Sequence, residues 1–446
     1  MVLDSRFHGS DDFETFYEVM TNCLYPPRIL AEDIMEVHIN NMINSGDTAF
    51  MLIATTMVMF MTPGLALFYG GLVRSKNVLS TILQSFISLG VVSLIWVIYG
   101  YSIAFGPDIK GFVGNLDWAF LNGVGLSPGP YSANIPHLLF CAFQLMFAII
   151  TPALITGAYA ERMKFSAFLL FTALWTTFVY LPVCHWVWGG GWLGKLGALD
   201  FAGGTVIHIN SGAAALVVAV MLGKRRGWGK ESIMPHNLSM TVLGAGILWF
   251  GWFGFNAGSA LSAGEVATMA LVTTQLSAGA AAVSWLAAEW IYHGKPTTLG
   301  AASGALAGLV AITPAAGFVG PVPAVIIGIV AGIICCFAMM LKTRFGYDDA
   351  LDVVAVHGVG GIWGALATGF FATKTINPAG FDGLFYGNPK QVLIQAVGIV
   401  AAIAFSMGVT ALILKFVDNA TGLRVTDEEE IQGLDVSQHS EVGYSM

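Results

Sequence analysis

The sequence predicts an all-α polytopic membrane protein with eleven transmembrane helices, arranged as two inverted five-helix repeats plus a peripheral eleventh helix. The first observation is composition: 56% of the 446 residues are hydrophobic and 10% are charged, whereas soluble proteins carry roughly 25% charged residues. The second is a series of apolar segments, each near the roughly 20 residues that span a bilayer. The third is a pair of related phrases, "ALDFAGGTVIHINSG" and "ALDVVAVHGVGG", one in each half of the chain.

The apolar segments follow one another along the chain with polar connections between them. The connection 107–136 is rich in Gly, Pro and Asn and too polar to span, and 418–446 forms a polar tail. The two repeats are predicted to cover about 48–222 and 240–373. The eleven predicted spans are 48–72, 78–106, 137–159, 165–188, 203–222, 240–260, 266–292, 298–317, 321–341, 353–373 and 391–417.

The distribution of Lys and Arg predicts the orientation, because cytoplasmic connections of membrane proteins are enriched in these residues. If the first span starts outside, thirteen of the nineteen basic residues fall in the inner connections and the tail. Four fall in outer loops, and two precede the first span. We therefore expect a multi-pass protein of the cell (plasma) membrane, with its N-terminus outside and its C-terminus cytoplasmic.

Residues 1–47 form an acidic extension ahead of the first span, which this orientation makes extracytoplasmic. The segment lacks the apolar core of a signal peptide. Its apolar residues recur at helical spacing, which favours an amphipathic surface helix. The alternative is that Met42 is the true start of the protein. Neither interpretation assigns the segment a function.

Composition and spacing also exclude several classes of function. The formal net charge of −8 reflects acidic residues near both ends of the chain, and neither end is basic enough to bind nucleic acid. The five cysteines show neither metal-ligand nor disulfide spacing. Because no nucleophile–base pairing is visible either, we expect no enzyme activity, no cofactor and no bound metal.

His208 and His357 lie inside apolar spans, where an ionisable residue is costly and marks a functional site by default. His208 lies in span five and His357 in span ten, an offset of five spans. Their spans therefore run in opposite directions, and both histidines are expected near the bilayer midplane. A neutral imidazole offers one donor and one acceptor and can pass protons, which suits a narrow pore for a small polar molecule. The alternative is a pair of core histidines that only bridge helices.

Asp200 and Asp352 lie near span ends, where a carboxylate commonly caps the free N–H groups of a helix start. Asp352 follows two other aspartates on the predicted inner side, so we expect it to cap a helix or face solvent. Asp200 has no basic neighbour nearer in sequence than Lys195. It could instead hold a hydrogen-bond network beneath an outer vestibule.

Aromatic residues gather in and at the predicted outer ends of spans three, four and six. Trp188 ends span four, either as part of the interfacial aromatic belt or as a cation–π site worth up to about 2 kcal/mol when desolvated. Phe255 and Ser259, at the outer end of span six, offer a ring and a hydroxyl. Phe147 lies one helical turn from Phe143, which by itself indicates ordinary core packing.

Taken together, these motifs closely resemble the ammonium transporter (Amt/Mep/Rh) family. The resemblance covers about residues 47–445, with the motifs in family order over most spans. The segments that carry it are "MTPGLALFYGGLVRSKNVLS" (62–81), "GAYAERMKFSA" (157–167), "DFAGGTVIHINSG" (200–212), "GWFGFNAGSA" (251–260), "TPAAGFVGP" (313–321) and "DVVAVHGVGGIWG" (352–364).

The resemblance implies roles for aromatic residues on the outer side. The family's recruitment site for NH4+ falls on Trp188, Phe147 and Ser259 of this chain. Its stacked phenylalanine gate falls on Phe147 and Phe255. Trp188 and Ser259 match the Amt/Mep branch, and we assign the chain to the Amt branch.

The resemblance also implies the pore residues and the partners. The family's twin pore histidines fall on His208 and His357, and the buried aspartate required for transport falls on Asp200. The family forms homotrimers with one pore per subunit. The tail 418–446 resembles the family's regulatory cytoplasmic tail, and a PII-type signal protein docks on that face to block conduction.

These inferences predict transport of ammonium, with methylammonium as an analogue, across the cell membrane. NH4+ would be recruited at the outer aromatic site and deprotonated, and NH3 would pass along the histidines, because a desolvated ion costs many kcal/mol. Whether the proton follows, making transport electrogenic, stays open. The alternatives are an ammonium sensor or transceptor, and an Rh-like channel for NH3 or CO2.

Overall fold

The computed structural model describes residues 43–444, so the predicted amphipathic helix and Met42 lie outside the described residues. In the described part, ten helices are long and apolar enough to cross a membrane, and one further apolar helix is shorter. The prediction of an all-α, multi-pass membrane protein is confirmed. The ranges are α1 Ser45–Leu72, α2 Ser75–Phe105, α3 His137–Tyr159, α4 Phe165–Leu196, α5 Gly204–Leu222, α6 Leu238–Gly258, α7 Glu265–His293, α8 Thr298–Ile312, α9 Pro321–Phe345, α10 Val354–Phe371 and α11 Lys390–Thr421.

Side-chain caps fix several of these helix starts. Asn44 accepts a hydrogen bond from the N–H of Asp47 ahead of α1, and Asn237 does the same for Met240 ahead of α6. Such caps satisfy N–H groups that have no partner inside the helix. The predicted span boundaries therefore agree with the structure to within a few residues at these ends.

The short helix α8 differs from its prediction. The sequence predicts a span over 298–317, but the helix ends at Ile312 and turns follow it. Pro314 accounts for the early end, because a proline has no N–H to donate to the carbonyl of Val310, where the regular helical ladder would continue. The released carbonyl of Pro314 accepts a hydrogen bond from the N–H of Phe201, ahead of α5.

The connection 107–136 contains two small hairpins that the sequence analysis did not predict. Strand β1 (Asp108–Ile109) pairs with β2 (Val113–Gly114), and β3 (Pro128–Gly129) pairs with β4 (Ser132–Pro136), both antiparallel. The strands are too short for a periodic signal to be visible in the sequence.

Two helices begin with a π-helical segment, and each such segment carries one of the predicted pore histidines. Gly204–Ile209 opens α5 and contains His208, and Val354–Val359 opens α10 and contains His357. Single π-helical turns are rare and occur frequently at functional sites. α5 and α10 pack against each other, and α1 packs along α6.

The described part of the predicted polar tail, up to Tyr444, is folded against the connections on the side of the molecule predicted to be cytoplasmic. This side is called inner below and the opposite side outer, following the Lys and Arg distribution. After α11, two short helices follow, α12 (Asp427–Gln432) and α13 (Leu434–His439). The Asp435 carboxylate accepts hydrogen bonds from the N–H groups of Leu79 and Ser80, at 3.0 and 2.8 Å. The tail thus caps the start of the regular α-helix in α2.

A buried ionic cluster joins the inner connections. The guanidinium of Arg225 lies 2.9 Å from the carboxylate of Asp348, and that of Arg74 lies 2.8 Å from Glu161. Burial by itself raises the pKa of Asp348, but Arg225 holds the pKa below its ordinary value. Because the charges are paired, this side of the molecule carries buried carboxylates without leaving them uncompensated.

Candidate functional site

An outer cavity of about 630 Å³ opens beside Trp188 and Ser259. The Ser259 hydroxyl donates to the carbonyl of Phe255 at 2.8 Å, and the Trp188 indole N–H donates to the carbonyl of Asp200 at 2.8 Å. Two of the three predicted recruitment residues, Trp188 and Ser259, are therefore held by backbone acceptors on the cavity wall, whereas Phe147 does not line the cavity. The cavity is lined by Phe105, Tyr131, Phe140, Gln144, Val187, Trp188, Phe201, Ser259 and Leu261.

Two phenylalanines pack next to this cavity. The ring centroids of Phe147 and Phe255 are 4.4 Å apart, and the Phe147 ring meets that of Trp188 edge-on at 6.0 Å. Both phenylalanines are buried, each with 1% of its surface exposed. The structure therefore brings together Trp188, Phe147 and Phe255 as predicted, in that order from the outer cavity inward.

The two histidines lie beyond this phenylalanine pair and face each other. Their Nδ1 atoms are 3.1 Å apart, and their ring centroids are 5.2 Å apart with 19° between the planes. Two acceptors cannot share a hydrogen bond, so one Nδ1 carries a proton and donates to the other. Trp252 stacks on the other side of His208, with a centroid distance of 5.5 Å.

Glycines allow the two histidine helices to approach. A Cβ on Gly212 would lie 2.3 Å from the Cα of Gly358, and a Cβ on Gly361 would lie 3.0 Å from the Cβ of His208. Each of Gly212 and Gly361 stands four residues after its own histidine and packs against the other helix. The spacing H-x-x-x-G occurs in both phrases and is a sequence signal that the analysis above missed.

Asp200 caps the π-helical start of α5. Its carboxylate accepts four backbone hydrogen bonds, from Gly203, Gly204, Thr205 and Val206, at 2.6 to 3.1 Å. The side chain is buried, and its carbonyl holds Trp188. Both interpretations of Asp200 therefore apply, because the cap also forms the hydrogen-bond network beside the outer cavity.

The inner counterpart of Asp200 is Asp349, and not Asp352 as the paired phrases suggested. Asp349 precedes His357 by eight residues, as Asp200 precedes His208, and its carboxylate accepts a hydrogen bond from Val354 at 2.7 Å. Asp352 instead pairs with Lys342 at 2.5 Å and has a left-handed backbone, with φ of +63°. The expected cap at Asp352 was wrong because the turn before α10 needs its capping carboxylate three residues earlier.

A narrow, mostly apolar cavity continues from the Phe255 ring past both histidines toward the inner side. Tyr69 and Asp352 lie near its inner end, and Asp352 also lines a more polar cavity that contains Arg225 and Lys342. A chain of cavities therefore runs from Trp188 to the inner connections, interrupted by the packed phenylalanines.

Comparison with known proteins agrees with the resemblance over about nine tenths of the chain. A model of the ammonium transporter family matches residues 49–444. The chain belongs to the ammonium transporter family. It is 56% identical over 400 residues to an ammonium transporter of Bacillus subtilis, covering 90% of this chain and 98% of that protein. It is 50% identical over 402 residues to the ammonium transporter Amt1 of Archaeoglobus fulgidus, covering 90% and 100%.

Solved structures of the ammonium transporter family share the fold. The crystal structure of Mep2 from Candida albicans superimposes with a TM-score of 0.83 at 39% identity, covering 89% of this chain and 90% of that chain. The resemblance stated from sequence motifs is therefore confirmed.

The ammonium transporter site contains residues that sequence reasoning did not single out. Gln144 lines the outer cavity, and its Oε1 has no hydrogen-bond partner within residues 43–444. Trp252 stacks on His208 and donates from its indole N–H to the Thr313 hydroxyl at 2.9 Å. Gln144 is a polar residue in an apolar span and could have been found by that signal, whereas an indole among many aromatic residues could not.

Proposed function

We propose that this chain, an ammonium transporter, recruits NH4+ at the outer cavity and conducts it inward as NH3 past His208 and His357. The observation that carries the proposal is the histidine pair, whose Nδ1 atoms lie 3.1 Å apart on the wall of a mostly apolar cavity. Such a cavity is costly for a bare ion. It is open to a neutral molecule that exchanges hydrogen bonds with imidazole.

The outer part of the route recruits and then deprotonates the ion. Trp188 offers a ring face and Ser259 a hydroxyl oxygen, and a cation over an indole face gains up to about 2 kcal/mol when desolvated. The packed rings of Phe147 and Phe255 separate this site from the inner cavity. Potassium can neither donate hydrogen bonds nor lose a proton, so the same route disfavours it.

Asp200 supports conduction by holding both the helix that carries His208 and the indole ring of Trp188. Its carboxylate fixes the start of the helix that carries His208, and its carbonyl orients Trp188. Asp200 thus acts through the positions of other groups.

The experiment replaces both histidines, His208→Ala with His357→Ala, and records ammonium-evoked currents in proteoliposomes. We expect the currents and the preference for ammonium over potassium to change strongly, because the cavity loses both of its hydrogen-bonding rings. The exposed residue His293 provides a matched control as His293→Ala. Unaltered currents and selectivity in the double variant would exclude the twin-histidine route.

The same proposal includes the architecture of the pore domain. We infer eleven spans over 48–417, with α8 as the short eighth, and an inverted relation between α1–α5 and α6–α10. The packing of α1 on α6 and of α5 on α10, together with the reciprocal contacts of Gly212 and Gly361, supports the repeat. The orientation, N-terminus outside and C-terminus in the cytoplasm of a plasma membrane, rests on the Lys and Arg distribution.

Assembly and regulation belong to the proposal as well. α1 and α6 expose large apolar side chains such as Ile53 and Leu243, which lipid or neighbouring subunits of a homotrimer would cover. The tail 418–446 and the inner connections pack into one surface, which a PII-type signal protein could occupy. The acidic extension 1–47 is proposed to lie outside and receives no function.

Two other functions have weaker support. The curated relatives reported above are named ammonium transporters, which does not favour a sensor. An Rh-like gas channel is disfavoured by Trp188 and Ser259 at the outer cavity. Measurable ammonium flux through purified protein separates a transporter from a sensor.

A further inference from the structure

Another buried histidine of the first half of the chain, His185, links the end of α2 to the end of α4 beside the outer cavity. It lies one helical turn before Trp188 on α4 and is fully buried. Its Nδ1 is 3.0 Å from the carbonyl of Ala104, at the end of α2, and its Nε2 is 3.0 Å from the carboxylate of Asp108. Phe105 follows Ala104 directly and lines the outer cavity, as Trp188 does.

Both partners of the His185 ring are hydrogen-bond acceptors. A neutral imidazole has a single N–H, so only the doubly protonated ring can donate to both oxygens. The negative charge opposite it is stable, because hydrogen bonds from Lys195 and His185 lower the pKa of Asp108 to about 2.

Gly189 and Gly191, which follow Trp188, have no room for a side chain beside His185 and Ala104. A Cβ on Gly189 would lie 2.0 Å from the carbonyl oxygen of Ala104 and 2.6 Å from the His185 Nδ1. A Cβ on Gly191 would lie 2.5 Å from the carbonyl oxygen of His185. The chain therefore folds back over His185 immediately after the tryptophan that the proposed function uses.

We propose that His185, held between Ala104 and Asp108, is a positioning residue that fixes Trp188 against Phe105 and so sets the affinity of the outer site. The inference rests on the proposed recruitment role of Trp188. His185 touches neither the cavity nor the ion, and it acts by holding together the two helix ends that form the cavity walls.

The test is a double-mutant cycle of His185→Ala with Trp188→Leu, read as the ammonium dependence of currents in proteoliposomes. His185→Ala should raise the half-saturating concentration roughly tenfold, the size of a lost charge-assisted hydrogen bond, and leave the maximal current within about twofold. In the Trp188→Leu background the same change should have an effect below roughly twofold, because coupled residues are not additive.

Three outcomes decide the matter. Additive effects, or a lower maximal current at unchanged half-saturation, would overturn the positioning role while leaving recruitment by Trp188 intact. A Trp188→Leu variant with unchanged half-saturation would instead refute the recruitment site, and the inference with it. Non-additive effects on half-saturation support the inference.

A second variant keeps the test decisive if His185→Ala fails to assemble. Asp108 lies in an outer hairpin with its side chain 26% exposed, so Asp108→Asn should leave the fold intact. It should raise half-saturation roughly threefold in the wild-type background, in line with a weakened hydrogen bond, and change nothing in Trp188→Leu. The matched control is Asp117→Asn, an exposed aspartate of the same connection whose carboxylate, among residues 43–444, accepts a side-chain hydrogen bond from Asn115 alone. Equal behaviour of the two asparagine variants would contradict the inference.

Discussion

At the scale of single residues, His208 is held by ring contacts and by a single side-chain hydrogen bond. It lies between Trp252 and His357, and its Nε2 has no hydrogen-bond partner among residues 43–444. A buried polar atom without a partner costs free energy unless something binds it. A polar molecule that passes along the cavity would satisfy this nitrogen, which fits the proposed conduction of NH3.

Asp200→Ala should abolish methylammonium uptake, because four N–H groups at the start of α5 lose their acceptor. A lost helix cap costs roughly 0.5–2 kcal/mol, and the π-helical segment with His208 would shift. Asp200→Asn keeps one acceptor oxygen and should retain part of the uptake. Uptake of radiolabelled methylammonium by cells, normalised to membrane protein, measures both. Full uptake by the alanine variant would refute the role given to this cap.

Asp349 should make stability depend on pH. Burial raises its pKa from 3.8 to about 6, so the folded state holds the proton more tightly than the unfolded state does. The resulting stability is complete below about pH 4 and is lost as pH rises through 6, by on the order of 2–3 kcal/mol. Asp349→Asn cannot titrate, and its melting temperature in detergent should fall less than that of the wild type between pH 5 and pH 8. Parallel pH profiles would contradict this.

At the scale of helices and strands, the sequence predicts the transmembrane spans well, but it predicts the π-helical turns and the Asp349 cap poorly. Apolar length gives α3 at its observed bounds, His137–Tyr159, because a helix needs roughly 20 apolar residues to cross a bilayer. The π-helical turns around His208 and His357 leave no periodic signal, since one extra residue per turn shifts a helix face only locally. Asp349 was missed for a related reason. The "LD" dipeptide suggested Asp352, whereas the cap is set by distance from the histidine.

The roles predicted for Trp188, Phe147 and Phe255 came from the family motifs, which fix the order of these residues along the chain. Without the family motifs, Trp188 could be a residue of the interfacial aromatic belt, and Phe147 could be a residue of the packed core. The contact between Phe147 and Phe255 joins α3 to α6 across more than a hundred residues of sequence, and no local pattern encodes such a pairing. His208 and His357 were accessible from sequence because their polarity stands out against apolar spans.

The crossing of α5 and α10 predicts a strong effect of one methyl group. Gly212→Ala would place its Cβ 2.3 Å from the Cα of Gly358, which is backbone and cannot rotate away. Overpacking of this kind costs typically about 1–3 kcal/mol, and it would separate the histidine rings. We expect lower yields of folded protein and strongly reduced uptake. Gly246→Ala on α6 is the control, since its Cβ meets no atom within 4 Å; equal uptake by both variants would contradict the argument.

At the scale of the whole molecule, the tail links two loops that are far apart in sequence, the α1–α2 loop and the α5–α6 loop. Lys76 donates to the carbonyls of Glu430 and Ile431, at 2.8 and 2.7 Å, and Arg226 donates from its backbone N–H to the Glu430 carboxylate at 2.6 Å. Asp435 adds the cap at the start of the α-helix in α2. One tail segment thus holds the α1–α2 connection, the start of the α-helix in α2 and the connection that follows α5. Because α5 carries His208, a change in the tail can reach the pore without touching it.

Asp435→Ala should therefore both release the tail from the inner surface and lower the rate of transport. The N–H groups of Leu79 and Ser80 lose their acceptor, a cap worth about 1 kcal/mol, and α13 loses its anchor on α2. Limited proteolysis of inside-out vesicles should cut the variant faster after α11, and methylammonium uptake should fall. Asp427→Ala is the matched control, because that carboxylate is 74% exposed and lies 3.9 Å from its nearest partner, Arg226. If faster cleavage came without any loss of uptake, the tail would be an appendage of the inner surface, and the link between tail and pore would be wrong.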